Sequence, residues 1–341
     1  MATQMDVAEY ARVSYMTVSR VVNNSGSVRP ETRERVLDAI RELNYTPNLA
    51  AQVLAGGRTY NIGVVFPENE YVLSRQYFVE LTNRIELSLS RHGYHLFLGA
   101  GRMPGQQNLR QLALKGTLDG LLIVSPPMGD ERLAMLAETE LPTVIIHGIS
   151  EQGRFSVFDI DNGAATELAM RHLWELGHRD IGLVTGIVQE ITGFDRQRVY
   201  RDFLTARGQT LRGEWTFEGN WSLESGYAAM QALARAPRRP TAILFSNDQM
   251  AIGGLKAAHD LGWRVPDDLT VVGFDNTKYS GFVSPALTTV DMRIDELAQA
   301  SVDALLDTIA KDAPPRQVLM KPTLVVRESS GPVGAHSFQN T

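Results

Sequence analysis

From Asn61 onward the chain alternates short β-branched runs with amphipathic helical stretches, and this alternation limits its fold more than any other feature. The runs are NIGVVF (61–66), YHLFLG (94–99), GLLIV (120–124), TVIIH (143–147), DIGLVT (180–185), TAILFS (241–246) and LTVVGFD (269–275). Helical periodicity fills the gaps at 76–92, 162–177, 194–207, 222–236 and 248–262, followed by a helix at 293–311 and a closing strand, TLVVR, at 323–327. Continuous apolar strands alternating with helices belong to parallel sheets covered on both faces. Residues 60–328 are too many for one such sheet, so two α/β lobes with a cleft between them are expected. Lobe 1 should comprise about 60–158 and 291–320, and lobe 2 about 159–290 and 321–328. The end of the chain, 329–341, reads as a disordered tail.

The pattern before residue 47 is different. Thr3-Gln-Met-Asp6 has the spacing of a capping box and precedes Val7, Ala8, Tyr10 and Ala11 at helical intervals. Ser14 suits a cap for the amide of Thr17, and Val18, Val21 and Val22 form the apolar stripe of a second short helix. Tyr15, Met16, Ser19, Arg20 and Asn23 then point away from that stripe. After a loop, Pro30 sits well in a first helical turn, and Val36, Leu37, Ile40 and Leu43 give a third helix. Three small helices with a tight turn between the first two make an all-α helix-turn-helix headpiece over 1–46, joined to the core by a linker over 47–59. The first 60 residues hold seven arginines, no lysine and six acids, a balance of +1, whereas the whole chain carries −6. That asymmetry is small, but it has the sign of a nucleic-acid-binding head on an acidic body.

Several functions are disfavoured by what the chain lacks. With no cysteine there is no disulfide, thiolate metal site or thiol nucleophile. The seven histidines are dispersed, with no metal-ligand spacing. No G-x-S-x-G, H-E-x-x-H or G-x-x-x-x-G-K occurs, and Gly99-Ala-Gly101-Arg-Met-Pro-Gly105 misses the dinucleotide-binding spacing by one residue. We therefore assign no catalytic residue, metal or cofactor. The N-terminus has no signal-peptide pattern and no apolar run approaches the roughly 20 residues of a membrane span, so a cytoplasmic protein without a membrane partner is expected.

DVAEYARVSYMTVSRVVN, ETRERV, LNYTPNLAAQVLAGG, IGVVFP, HLWELGH, SNDQMAIGGL and VVGFDNT, taken in order from Asp6 to about Arg327, resemble the lactose repressor family of bacterial regulators. The headpiece is most similar to that of the family's type member. The resemblance implies a repressor whose headpiece binds double-stranded, pseudo-palindromic operator DNA. It also implies a two-lobed core, similar to periplasmic sugar-binding proteins, that holds a small effector. Tetrameric members end in a leucine-repeat tail, and SSGPVGAHSFQNT has no such repeat, so a homodimer is expected.

The resemblance places Tyr15, Met16 and Arg20 at the base-reading positions of the second helix. Arg20 offers a planar fork for guanine, Tyr15 a hydroxyl and a ring, and Met16 apolar contact with a thymine methyl. Ser14, Thr17, Ser19 and Asn23 are the accompanying headpiece contacts; for Ser14, Thr17 and Ser19, phosphate contact and simple capping are both open. The linker, with Asn48 and Leu54, resembles a hinge helix whose leucine wedges a base step in the minor groove. Two departures stand out: Arg12 occupies a turn position where the family has glycine, and Arg29 a position where it has a capping serine.

In open α/β sheets, ligands bind beyond the carboxyl ends of strands. Phe66, Ser125, His147, Asn247 and Asp275 follow the β runs directly, and the resemblance adds Phe158, Arg196, Trp221 and Met292. Asp275 and Asn247 suit hydroxyl groups, Arg196 donates a fork, and Trp221 suits the apolar face of a sugar ring. Asn247-Asp248 equally suits a helix start. A sugar or oligosaccharide inducer is the reading these residues favour. His147 stands where the type member has an acidic residue, which speaks against a simple galactoside. A purine corepressor is the alternative, although purine-binding members have arginine where this chain has Glu190. A transport-type sugar-binding protein is a more distant rival, because a helix-turn-helix occupies the place of its signal sequence.

Overall fold

The computed structural model describes residues 2–22, 26–45, 58–67, 75–98, 109, 111, 116–150 and 153–334. Among them are ten α-helices and two six-stranded sheets.

Three helices form the headpiece: α1 (Gln4–Ala11), α2 (Tyr15–Val22) and α3 (Pro30–Glu42). The capping box at α1 is complete, with Thr3 Oγ1 accepting the Asp6 amide and Asp6 Oδ2 accepting the Thr3 amide. Ser14 Oγ accepts the Thr17 amide at 3.1 Å and opens α2. Pro30 lies in the first turn of α3, but Arg29 makes no side-chain capping bond there. The turn between α1 and α2 puts Arg12 at φ 54°, in the left-handed region that a glycine would enter without strain. Val7, Ala11, Val18, Val21, Val36 and Ala39 close a small core of their own.

The core domain carries its strands in two sheets. The first takes β1 (Asn61–Val65), β2 (His95–Leu98), β3 (Gly120–Val124), β4 (Thr143–Ile146), β5 (Ser156–Ile160) and β11 (Gln317–Met320) in the order β11-β5-β4-β3-β1-β2, all parallel. The second takes β6 (Ile181–Thr185), β7 (Thr216–Glu218), β8 (Ala242–Phe245), β9 (Thr270–Asp275), β10 (Thr288–Asp291) and β12 (Thr323–Val325) in the order β12-β10-β9-β8-β6-β7. Only the β10–β12 pairing is antiparallel. The central strands β3, β4, β6 and β8 are buried along their whole length, as parallel strands covered on both faces must be.

Helices α4 (Gln76–Arg91), α5 (Glu131–Ala137) and α10 (Ile294–Lys311) belong to the first lobe. Helices α6 (Asn162–Glu175), α7 (Ile191–Thr205), α8 (Leu223–Ala234) and α9 (Asp248–Asp260) belong to the second. The chain passes between lobes three times: after β5, after β10 and between β11 and β12. The first passage falls beyond Ile160, not at 158, because Asp159 and Ile160 pair with Leu319 and Met320 in the first sheet.

The expected tail also needs correcting. Ser329 is fully buried, its hydroxyl donating to Val271 O at 2.6 Å. His178 Nε2 meets Gly331 O at 3.0 Å, and the Val333 amide donates to Leu176 O. These bonds stitch residues 329–333 onto the second lobe; 335–341 lie outside the described residues. No helix among the described residues is long and apolar enough to cross a membrane.

Candidate functional site

Between the lobes lies a cleft of about 490 Å³, its open mouth included, in the size range of small-molecule sites. Its walls are the carboxyl ends of β3, β4 and β9, the residues just after β8 and β10, and the first turns of α4 and α7. Ser125, His147, Arg196, Trp221, Asn247, Asp275 and Met292 all line it. Four of these seven have positive φ: Ser125 (47°), His147 (57°), Trp221 (70°) and Asp275 (111°). A non-glycine residue held there costs on the order of 1–3 kcal/mol, and such strain concentrates where side chains must be aimed at a ligand.

Two expected residues are not on this wall. Phe158 is only 3% exposed and packs into the apolar core. Phe66 packs edge-on against Phe78, with ring centroids 5.5 Å apart, and Phe78 takes the lining position.

The polar groups of the second lobe are tightly organised. Arg196 is 3% exposed. Its Nε donates to Asn162 Oδ1 at 3.1 Å, its Nη1 to Ser246 O, and its guanidinium carbon lies 4.3 Å from the Phe274 ring centroid. Asn247 caps α9 by accepting the Met250 amide at 2.9 Å, while its Nδ2 donates to Trp221 O at 3.1 Å. The helix-start reading and the cleft reading of Asn247 therefore hold together. Asp248, fully buried behind it, accepts from Thr277 and Thr289, yet burial still raises its carboxyl to about 7. Burial, reinforced by the Asp248 charge, holds the Asp275 carboxyl well above the usual carboxylate range, and Arg196 opposes that rise.

At the mouth, Trp221 Nε1 donates to Glu190 Oε2 at 2.8 Å, and Glu190 stands 3.6 Å from Arg75 of the first lobe. Arg75 is 7% exposed, and its Nη2 has no hydrogen-bond partner among the described residues. Burial lowers its guanidinium below the usual range against the pull of Glu190. The N-terminal part of α4 makes two more bridges between lobes: the Gln76 amide donates to Gln249 Oε1, and Glu80 Oε1 accepts the Lys278 amide.

On the headpiece, the start of α2 presents Tyr15 (50% exposed) and Met16 (59% exposed) beside an exposed Arg20, while Val18 and Val21 of the same helix are buried. Large apolar groups left in solvent at a helix N-terminus, next to an arginine fork, suit a nucleic-acid groove. Ser14 Oγ and Thr17 Oγ1 bond each other at 2.8 Å, and Ser19 is partly buried on the same helix. Asn23, Asn48 and Leu54 lie outside the described residues, as do residues 46–57, which hold most of the linker expected at 47–59.

Residues 3–48 match the model for bacterial regulatory proteins of the lacI family, and residues 170–330 match that for a periplasmic binding protein-like domain. The chain is 36% identical over 334 residues to the HTH-type transcriptional repressor PurR of Erwinia tasmaniensis, covering 96% of this chain and 97% of that protein. The chain belongs to the lacI family. It is a DNA-binding transcriptional repressor of that family. The lac repressor dimer bound to operator and the anti-inducer ONPF superposes with a TM-score of 0.84 at 32% identity, covering 97% of this chain and 99% of that one. A complex of the transcriptional regulator CelR with cellobiose superposes with a TM-score of 0.72 at 30% identity, covering 96% and 100%.

This lacI-family cleft also contains residues that sequence reasoning did not assign to it: Arg75, Tyr77, Phe78 and Thr192, together with Glu190 in the role of an indole acceptor. Arg75 and Tyr77 precede or open a helix whose periodicity advertises only its buried stripe. Asp159, the one half-buried position in the otherwise buried strand SVFDI, was the legible signal in that region.

Proposed function

We propose that the protein binds operator DNA as a homodimer through Tyr15, Met16 and Arg20, and that a neutral, polyhydroxylated effector of the sugar class binds between the lobes and weakens that binding. The cleft observation that carries the ligand class is the buried pair Arg196 and Asp275 beside Trp221. A carboxyl, a guanidinium and an indole lining one cleft match the alternating hydroxyls and apolar face of a sugar ring. Glu190 supports the same reading: at the position where purine-binding members carry arginine, this chain has an acceptor already engaged by Trp221 Nε1–H and Arg75.

The PurR relatives favour the second reading, a purine corepressor that tightens operator binding. The two readings are separated by a thermal-shift screen of mono- and disaccharides and purines, followed by titration of each hit against a symmetric operator library. A sugar that stabilises the protein and releases DNA bears out the proposal. A purine that stabilises it and tightens DNA binding overturns it.

A further inference from the structure

His147 occupies a cleft position, yet both of its ring nitrogens are engaged by the protein. Nδ1 lies 2.7 Å from Asp159 Oδ1, and Nε2 lies 2.5 Å from the hydroxyl of Tyr77. Asp159 Oδ1 also accepts the Ile160 amide at 2.7 Å. A carboxylate has no hydrogen to donate and Oδ1 serves the Ile160 amide as an acceptor, so the Asp159–His147 bond takes its proton from Nδ1. In the neutral imidazole Nε2 then carries only a lone pair, and Tyr77 must supply the proton between them. The Tyr77 hydroxyl has one hydrogen. Once that hydrogen points at His147, only lone pairs remain for anything in the cleft.

We propose that Tyr77 is a specificity-determining contact for the effector, fixed as a hydrogen-bond acceptor by His147 and Asp159, and that the effector must present a hydroxyl or N–H donor to it. His147 is thus a positioning residue that acts through Tyr77. The three residues come from α4, the end of β4 and β5, all on the first lobe, so the orientation exists before the second lobe closes over a ligand. Burial also holds the Tyr77 phenol well above its usual range, keeping its proton in place for the bond to Nε2. The inference rests on the cleft being the effector site, as proposed above, but the proton arrangement is testable without any effector.

The first test is ¹⁵N NMR of the histidine-labelled full chain at pH 7.5, with the His147 signals assigned by their loss in His147→Gln. The expected result is a protonated Nδ1 and an unprotonated Nε2, with Tyr77→Phe moving the Nε2 resonance towards that of an imidazole lone pair without a donor. A protonated Nε2, or a resonance indifferent to Tyr77→Phe, overturns the arrangement. The second test titrates a panel of cellobiose, lactose, glucose and hypoxanthine into wild type and Tyr77→Phe. Whichever probe binds the wild type should bind Tyr77→Phe about tenfold more weakly, and equal affinity would remove Tyr77 from the contact while leaving the sugar reading intact. If hypoxanthine alone binds the wild type, the sugar reading fails, and the NMR result still decides the arrangement.

Discussion

Glu190 holds the indole of Trp221 by its Nε1–H at 2.8 Å, and the benzo edge adjoining that nitrogen lies against the backbone of Gly186. A Cβ on Gly186 would stand 1.9 Å from Trp221 Cζ2, with the neighbouring ring atoms scarcely farther away. Trp221 is therefore held along one edge by a hydrogen bond and a close backbone approach, and its place in the cleft depends on a residue with no side chain.

Gly186→Ala should displace the ring, destabilise the second lobe by about 1–3 kcal/mol and weaken effector binding at least tenfold. Operator binding by the headpiece should persist. Calorimetric titration of the effector beside an operator-binding assay on the same preparation checks both halves.

Asp275 and Asp248 make the core domain sensitive to pH. Both carboxyls are raised by burial, Asp248 to about 7, so the folded state holds their protons more tightly than the unfolded chain does. Their favourable contribution is fully present below the unfolded value near 4, and it is lost as the pH rises through the folded value. Melting temperature should accordingly fall from about pH 4 to about pH 7 through Asp248, with Asp275 adding a fall in the same direction. Asp275→Asn should flatten part of that slope and raise Tm at pH 8 by about 2–4 °C, corresponding to about 1 kcal/mol, while abolishing the effector response. A pH series of melting curves for the two proteins decides it.

Much of this architecture was legible because the apolar runs are long, β-branched and bounded by helical periodicity, as at Gly120–Val124 and Thr270–Asp275. Of the strands that escaped notice, β7 and β11 are edge elements, whereas Ser156–Ile160 and Thr288–Asp291 lie inside their sheets but carry polar residues that break the apolar run. Gln317–Met320 is exposed at alternate positions and becomes a strand only by pairing with Ser156–Ile160, about 160 residues away. Within the cleft, residues following strands could be found from the sequence, because that location is a rule of the fold. Tyr77 and Arg75 could not, since their roles depend on how α4 meets His147 and Glu190 from distant parts of the chain. Ser329 to Val333 looked like a loose end because nothing in SSGPV shows that Val271, His178 and Leu176 provide bonding partners.

Arg12 carries left-handed strain that glycine would relieve. Arg12→Gly should stabilise the headpiece by about 1 kcal/mol, whereas Arg12→Ala should give no gain. Hydrogen exchange of the α1 and α2 amides in the full chain reports the difference.

Arg20 is exposed on the α2 face that carries Tyr15 and Met16. Arg20→Ala should cost about 1–3 kcal/mol of operator affinity and relax preference at one base pair per half-site. Selection from a randomised operator library reads this directly; an equal loss on scrambled DNA would make Arg20 a phosphate contact instead.

In the proposed mechanism, effector and operator compete through one conformational equilibrium. The direct measurement is a closed linkage cycle: operator affinity with and without saturating sugar, and sugar affinity with and without operator. Each ligand should weaken the other by the same factor, in the range of about 5- to 150-fold. A sugar that binds the cleft yet leaves operator affinity unchanged, or one that tightens it, would rule out this competition.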